Sequence, residues 1–245
     1  MWCGHSGVFA TEGENNITIM RDEEFNPLVK KAIENKRLQN INKALYVAVK
    51  ANQLDQVEEM IAQGATIHLD NGRQAQLFDS DENTPLHIAC KLGYLAMVRK
   101  LVELGAIIDA TNRKEHTPLH WAAHEAQLEV VSFLLAHGAD INARDNEGDT
   151  PLTWAVYINK PVVVEFLIQQ GAKINTYNHG RLSPLHWAAF KGNLDTVALL
   201  VKNGANLKDV TKFGDTPIMC ASHNGHVDVV LFLLEAEKKL LEKVS

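Results

Sequence analysis

The stretch Thr84-Pro85-Leu86-His87 decides the fold, because the chain repeats it. It returns as Thr117-Pro118-Leu119-His120, Thr150-Pro151-Leu152-Thr153, Ser183-Pro184-Leu185-His186 and Thr216-Pro217-Ile218-Met219, each start 33 residues after the last. A second marker keeps the same step: Gly105-Ala106, Gly138-Ala139, Gly171-Ala172 and Gly204-Ala205. Two independent markers in phase over four periods define a structural unit of that length.

The residues explain the unit. Thr or Ser at its start can cap a helix N-terminus, and Pro at the next position suits N1, where no amide hydrogen is needed. Gly93, Gly192 and Gly225 supply the left-handed residue that ends a short first helix. A second helix carries an apolar stripe, as in Val130, Val131, Phe133, Leu134 and Leu135, and stops at Gly138. Small residues such as Ala122-Ala123 and Ala188-Ala189 let neighbours approach. No unit can bury its stripe alone, so the units must stack.

Period, start and stop together resemble the ankyrin-repeat family. The resemblance implies an all-α solenoid whose 33-residue units are a short β-turn tip followed by two antiparallel helices.

A sixth, degenerate unit precedes these. Ala44-Leu45-Tyr46-Val47-Ala48 aligns with Pro85-Leu86-His87-Ile88-Ala89, and Gly64-Ala65 with Gly105-Ala106, both at an offset of 41. About eight extra residues therefore sit in the connection over 69–79. Six units are expected across 43–243, starting near 43, 84, 117, 150, 183 and 216. The Gly-Ala stop is missing after the last, where Ala236-Glu237-Lys238-Lys239 predicts a helix running on toward Lys243. Residues 1–42 fall outside the period. Asn26 as N-cap and Pro27 as N1 predict an amphipathic helix over 27–39 that caps the first apolar face, with a separate binding peptide as the alternative. Residues 1–20, polar and Gly-containing, are expected to be mobile.

Composition narrows the function. The 245 residues carry 24 basic and 30 acidic side chains, a net charge of −6, which disfavours nucleic acid and anionic membranes. No apolar run approaches the roughly 18 residues of a membrane span. The N-terminus has neither the basic nor the apolar region of a secretory signal, and Trp2 excludes N-myristoylation. Cys3, Cys90 and Cys220 are scattered, which fits a reducing compartment and a cytoplasmic protein.

Catalytic chemistry finds little support. His116, His120 and His124 form the best histidine cluster, and they define a metal-dependent enzyme as the least favoured reading. The resemblance implies instead that His87, His120 and His186 make structural hydrogen bonds between units. No HExxH, G-x-S-x-G, P-loop or G-x-G-x-x-G pattern is present, so neither cofactor nor metal is expected. Trp121, Trp154 and Trp187 recur four positions after the unit's start, where Ile88 also stands, and are read as packing between units.

The resemblance places partner contacts on the turn tips and on the concave face of the first helices. In phase, those positions include Arg113, Lys114, His124, Tyr157, Ile158, Leu182, Phe190 and Phe213. A solvated face would favour charge, so apolar residues there point to an interface centred on Tyr157 and Phe190, with Leu182 and Phe213 reaching in from the turns. Basic Lys91, Arg113 and Lys114 beside it would steer an acidic partner segment.

Departures from the pattern carry their own expectations. Glu115 and Arg181 stand where Gly148 and Gly214 stand in other units, predicting distorted turns. Ala126 replaces a helix-ending Gly and predicts local weakness. Leu134, Asp140, Ile141 and Asn142 resemble the substrates of asparaginyl hydroxylation in ankyrin turns, making Asn142 a candidate modification site. The expected protein is a monomeric, non-catalytic binding module, acting as adaptor, scaffold or inhibitor of a protein partner. The alternative is a secreted effector of an intracellular bacterium that binds a host protein in the host cytoplasm, since Glu235–Ser245 loosely resembles type IV secretion tails.

Overall fold

A computed structural model describes residues 9–13, 16–20, 22–67 and 79–242. Helix α1 (Asp22–Lys50) and α2 (Leu54–Ala62) form the first unit. Five helix pairs follow: α3 (Pro85–Leu92) with α4 (Leu95–Glu103), α5 (Pro118–His124) with α6 (Leu128–Ala136), and α7 (Pro151–Tyr157) with α8 (Pro161–Gln169). The last are α9 (Pro184–Lys191) with α10 (Leu194–Lys202) and α11 (Pro217–His223) with α12 (Val227–Glu242). The first helices pack in chain order from α1 to α11, and second helices lie in a row behind them. This is the expected six-unit all-α solenoid.

Each unit starts as its tetrapeptide dictates. The Thr84 hydroxyl accepts from the amide of His87 at 3.4 Å, and Pro85 takes N1. His87 completes a capping box that usually needs Glu or Gln, since its Nδ1 accepts from the Thr84 amide at 3.1 Å. Thr117 with His120 and Ser183 with His186 repeat the arrangement. Under the caps runs a file of buried leucines, Leu86, Leu119, Leu152 and Leu185. Cutting one back to Ala would cost about 2–5 kcal/mol, because its pocket is walled by neighbours on both sides. Ala89, Ala122, Ala155 and Ala188 are fully buried where consecutive first helices meet, so those helices can lie close.

Two expectations need correction. Helix α1 starts at Asp22, not at Pro27, and runs unbroken into the first unit. Pro27 therefore lies inside a helix, where it removes one amide of the ladder. The expected cap does not form either. From Val29 to Asn40 all side chains but the half-buried Leu38 are exposed, Ile33 to 63%, and burial begins at Asn42 and Leu45. Within the stretch expected to be mobile, β1 (Phe9–Gly13) and β2 (Asn16–Met20) pair as an antiparallel hairpin, Phe9 opposite Met20 and Gly13 opposite Asn16.

Glu115 and Arg181 do not distort their turns. Both take φ of +60°, and their amides bond Asn112 O and Asn178 O at 2.9 Å, as the Gly148 amide bonds Asp145 O at 2.9 Å. The turn keeps its shape, and the side chain bears the strain. Ala126 likewise adopts φ of +58° after α5. The extra residues over 69–79 lie outside the described residues except for Asp79, as does Lys243.

Candidate partner-binding groove

The edge of the solenoid is built from one acceptor role at one phase. Five positions before each unit's tetrapeptide stand Asp79, Asn112, Asp145, Asn178 and Thr211. The side-chain oxygen of each accepts the amides two and four residues on. Asp145 Oδ1 takes Glu147 N and Asp149 N at 2.9 Å, and Asn178 Oδ1 takes Gly180 N and Leu182 N at 2.9 and 3.0 Å. Asp79, Asn112 and Thr211 do the same at 2.9–3.2 Å. Neighbouring tips are then joined through the backbone, Arg113 N to Asp81 O, Asn146 N to Lys114 O, His179 N to Glu147 O and Lys212 N to Gly180 O. A continuous ladder of amides thus holds the edge against which a partner would lie.

Histidines tie this edge to the helices. His87 Nε2 donates to His116 O at 2.8 Å, His120 Nε2 to Asp149 O at 3.3 Å, and His186 Nε2 to Asp215 O at 3.2 Å. A backbone amide can only donate, so Nδ1 of each ring is the acceptor and Nε2 carries the proton. Burial holds all three rings neutral, pushing His87 and His120 down to about 4 and lowering His186 as well. With both nitrogens engaged, His120 cannot join His116 and His124 as a metal ligand. Cys90 and Cys220 are buried, and burial raises both thiols, Cys220 to about 11, so neither is a ready nucleophile.

Between the turn tips and the first helices lies an open groove of about 650 Å³. Its floor is aromatic. The half-buried Trp121 and Trp154 meet edge to face with centroids 5.6 Å apart, and His116 stands 4.4 Å and His124 5.5 Å from Trp154. Farther along, Tyr157 meets Trp187 edge to face at 5.0 Å, and Trp187 meets Phe190 at 6.0 Å. Asp145, Glu147 and Asp149 form the wall, facing Lys114 on the rim. Asp145 Oδ2 accepts from Trp154 Nε1 at 3.0 Å, which ties floor to wall.

Charge in this wall is poorly compensated. Asp149 is half-buried, and its Oδ2 receives only the neutral Asn178 Nδ2 at 3.3 Å. Trp187 Nε1 turns toward the same carboxyl, yet this nitrogen and Asp149 Oδ1 close no hydrogen bond. Desolvation, reinforced by Asp145 and Glu147, pushes Asp149 up to about 6. His116 is held below its ordinary value, chiefly by burial.

Of the positions expected to meet a partner, Lys114, His124 and Tyr157 line this groove, while Arg113, Ile158, Leu182, Phe190 and Phe213 lie outside its lining. Tyr157 is 40% and Phe190 41% exposed, and Trp187 joins them into one aromatic strip. Phe213 stands 91% exposed on its turn, whereas Ile158 and Leu182 are half-buried. Reading the tryptophans as packing missed their second role as the floor. The signal was size: at the phase where Ile88 and Cys220 disappear into the core, an indole is too large to do so and leaves its edge in the groove. Asn142 faces away from this chemistry. Its Oδ1 accepts from Lys173 N at 2.9 Å, a link between units that Asp109 makes to Asp140 N and Asn175 to Asn206 N. Among the described residues no helix is long and apolar enough to cross a membrane, and no three His, Cys, Asp or Glu side chains converge as a metal site.

A family model for ankyrin repeats matches in three copies, over residues 18–112, 106–178 and 159–243. Over 85 residues, 35% of this chain, the sequence is 39% identical to the poly(ADP-ribose) polymerase tankyrase of Caenorhabditis elegans, covering 4% of that protein. Over 71 residues, 28% of this chain, it is 42% identical to protein phosphatase 1 regulatory subunit 27 of Homo sapiens and 41% identical to that of Mus musculus, covering 40% of each. The matches thus span well under half the length of these relatives.

Proposed function

Because the chain belongs to the ankyrin-repeat family, we propose that it is a non-catalytic adaptor, scaffold or inhibitor that holds a segment of a partner protein along the groove between its turn tips and first helices. The observation that carries this reading is the aromatic strip of Tyr157, Trp187 and Phe190 continuing into the tryptophan-floored groove. Rings left half-exposed at a seam of this size are what partner side chains bury. A regulatory subunit among the relatives supports the adaptor side of the proposal.

The module is a monomer in this reading, and its unpaired, buried Cys90 and Cys220 suit the cytoplasm. The Glu/Lys-rich segment invoked for a secreted effector is helical through Glu242, braced by Lys239–Glu235 at 2.7 Å, and supports a structural role instead. Asn142 belongs to the proposal as a hydroxylation site, tested by the mass of its peptide after exposure to an asparaginyl hydroxylase.

The test is a pull-down comparing wild type with a Tyr157→Ala, Phe190→Ala double variant of matched melting temperature. A protein retained by wild type and lost by the variant supports the groove; equal retention by both moves the interface elsewhere.

A further inference from the structure

Two features of the groove point to one kind of ligand group. The first is the set of indole and phenol faces. Lys91 Nζ stands 4.2 Å over the Trp121 ring and Lys191 Nζ 4.0 Å over Tyr157, so the chain's own ammonium groups already occupy the two outer rings at cation–π contact distance. Among the described residues no lysine or arginine stands over Trp154, at the centre. The second feature is the wall beside that ring. It sets three carboxylates against Lys114, and burial favours a neutral His116. Asp145 is consumed by its own turn and by Trp154 Nε1. Glu147 is exposed and Asp149 half-buried, and among the described residues neither has a lysine or arginine within 4 Å. Burial first, and then the charges of Asp145 and Glu147, push Asp149 up to about 6.

We propose that the centre of the groove receives an arginine side chain of the partner segment, its guanidinium stacked on Trp154 and its N–H groups turned to Glu147 and Asp149. The guanidinium is planar and keeps its charge in a partly desolvated site, and it can stack and pair at once, which an ammonium does less well. The assignment reverses the acidic partner segment that Arg113 and Lys114 suggest on charge alone. Lys114, itself a cation on the rim, opposes the guanidinium, and the three carboxylates of the wall outnumber it. This inference rests on the groove being the partner site.

The probe is N-acetyl-arginine amide, titrated against the full chain while the indole Nε1–H resonances are followed by NMR. N-acetyl-citrulline amide, the same shape without charge, is the control. The Trp154 resonance is expected to shift with the arginine probe, at an affinity about tenfold or more above citrulline's, corresponding to about 1.4 kcal/mol. Glu147→Gln and Asp149→Asn should each lower that affinity without loss of thermal stability. Glu147→Gln, on an exposed side chain, keeps the test valid if Asp149→Asn fails to fold. Equal shifts with both probes, no shift of Trp154, or unchanged affinity in Glu147→Gln would each overturn the assignment. A pull-down separates this failure from that of the interface. A partner lost by Tyr157→Ala, Phe190→Ala but kept by Glu147→Gln sinks the arginine and leaves the groove, whereas a partner kept by all variants sinks both.

Discussion

His87 Nε2 donates to the carbonyl oxygen of His116, 29 residues later, at 2.8 Å, while its Nδ1 accepts from the amide that begins its own helix. One buried ring therefore caps a helix and hangs the next turn tip from it. His120 and His186 repeat the link into the turns of the following units. In the last unit Met219 holds that position and is half-exposed, with no following turn to reach among the described residues. The site edge is thus rigid for the same reason that the units stack.

That link makes stability fall in acid. His87 and His120 are neutral in the fold, at about 4, against an ordinary value of 6.5. Between those limits the unfolded chain binds more protons, so stability is complete above pH 6.5 and is lost as the pH falls toward 4. For His87 the full loss is about 3 kcal/mol, an upper bound by order of magnitude. Urea midpoints measured from pH 8 to pH 4 should fall steadily through this window, and ring titrations by NMR should show both histidines neutral at pH 5. A midpoint flat through the window would contradict the assignment.

Asp149 acts in the opposite sense. Its value is raised to about 6 from an ordinary 3.8, so its contribution to stability is present below pH 3.8 and lost as the pH rises through 6. Asp149→Asn should therefore raise the urea midpoint at pH 7 and steepen the acid limb left to the histidines. A variant less stable than wild type at pH 7 would mean that the Asn178 contact outweighs the burial of charge.

Residues in the left-handed region give a second route to stability. Ala126, Glu115 and Arg181 hold φ of +58° to +60°, which costs a side-chain-bearing residue about 1 kcal/mol relative to glycine. Ala126→Gly, Glu115→Gly and Arg181→Gly should each raise stability by about that amount, offset in part by the greater freedom of the unfolded chain. The turn geometry, read from the Asn112 and Asn178 amide couplings, should not change. Loss of stability in all three would show that the strain is relieved elsewhere.

How much of this was legible in the sequence depended on period. Thr84 and Pro85 recur at fixed phase, so caps and stacking could be read without coordinates, while the histidine links followed only from the family resemblance. Asp79, Asn112, Asp145, Asn178 and Thr211 recur just as strictly, but as three chemistries of one acceptor role, and identity matching passes over them. The tryptophans are read as packing between units, because phase says which face a residue points to and not how far a large ring protrudes. Helix α1 was misjudged for a local reason: Pro27 is a good N1 residue, yet the chain is already helical from Asp22. Which carboxylates lack a partner is a property of distance between turns 33 residues apart, and only the folded chain displays it.

Asp145 holds the edge and the floor together, and two substitutions separate these roles. Asp145→Ala removes the acceptor of the Glu147 and Asp149 amides as well as of Trp154 Nε1, and should cost about 2–4 kcal/mol. Asp145→Asn keeps an amide oxygen for the turn, as Asn112 and Asn178 do, but turns an NH2 toward the indole N–H. It should cost about 1 kcal/mol and move the Trp154 indole resonance selectively. Equal costs for the two would show that the turn does not depend on Oδ1.

Phe213 decides how far the interface extends. It is 91% exposed on the last turn tip, outside the groove's lining, and its backbone rather than its ring is held, through the Thr211 hydroxyl at 3.2 Å. With so little of the ring buried, Phe213→Ser should leave the urea midpoint within about 0.5 kcal/mol of wild type. Any loss of partner retention in that variant is then a loss of contact and not of fold. If Phe213 is an anchor, retention falls by a factor that corresponds to about 2 kcal/mol, as expected for an aromatic hot spot. If retention is unchanged while Tyr157→Ala abolishes it, the partner segment ends before the last unit, and the interface is confined to the groove and the aromatic strip that leads from it to Phe190.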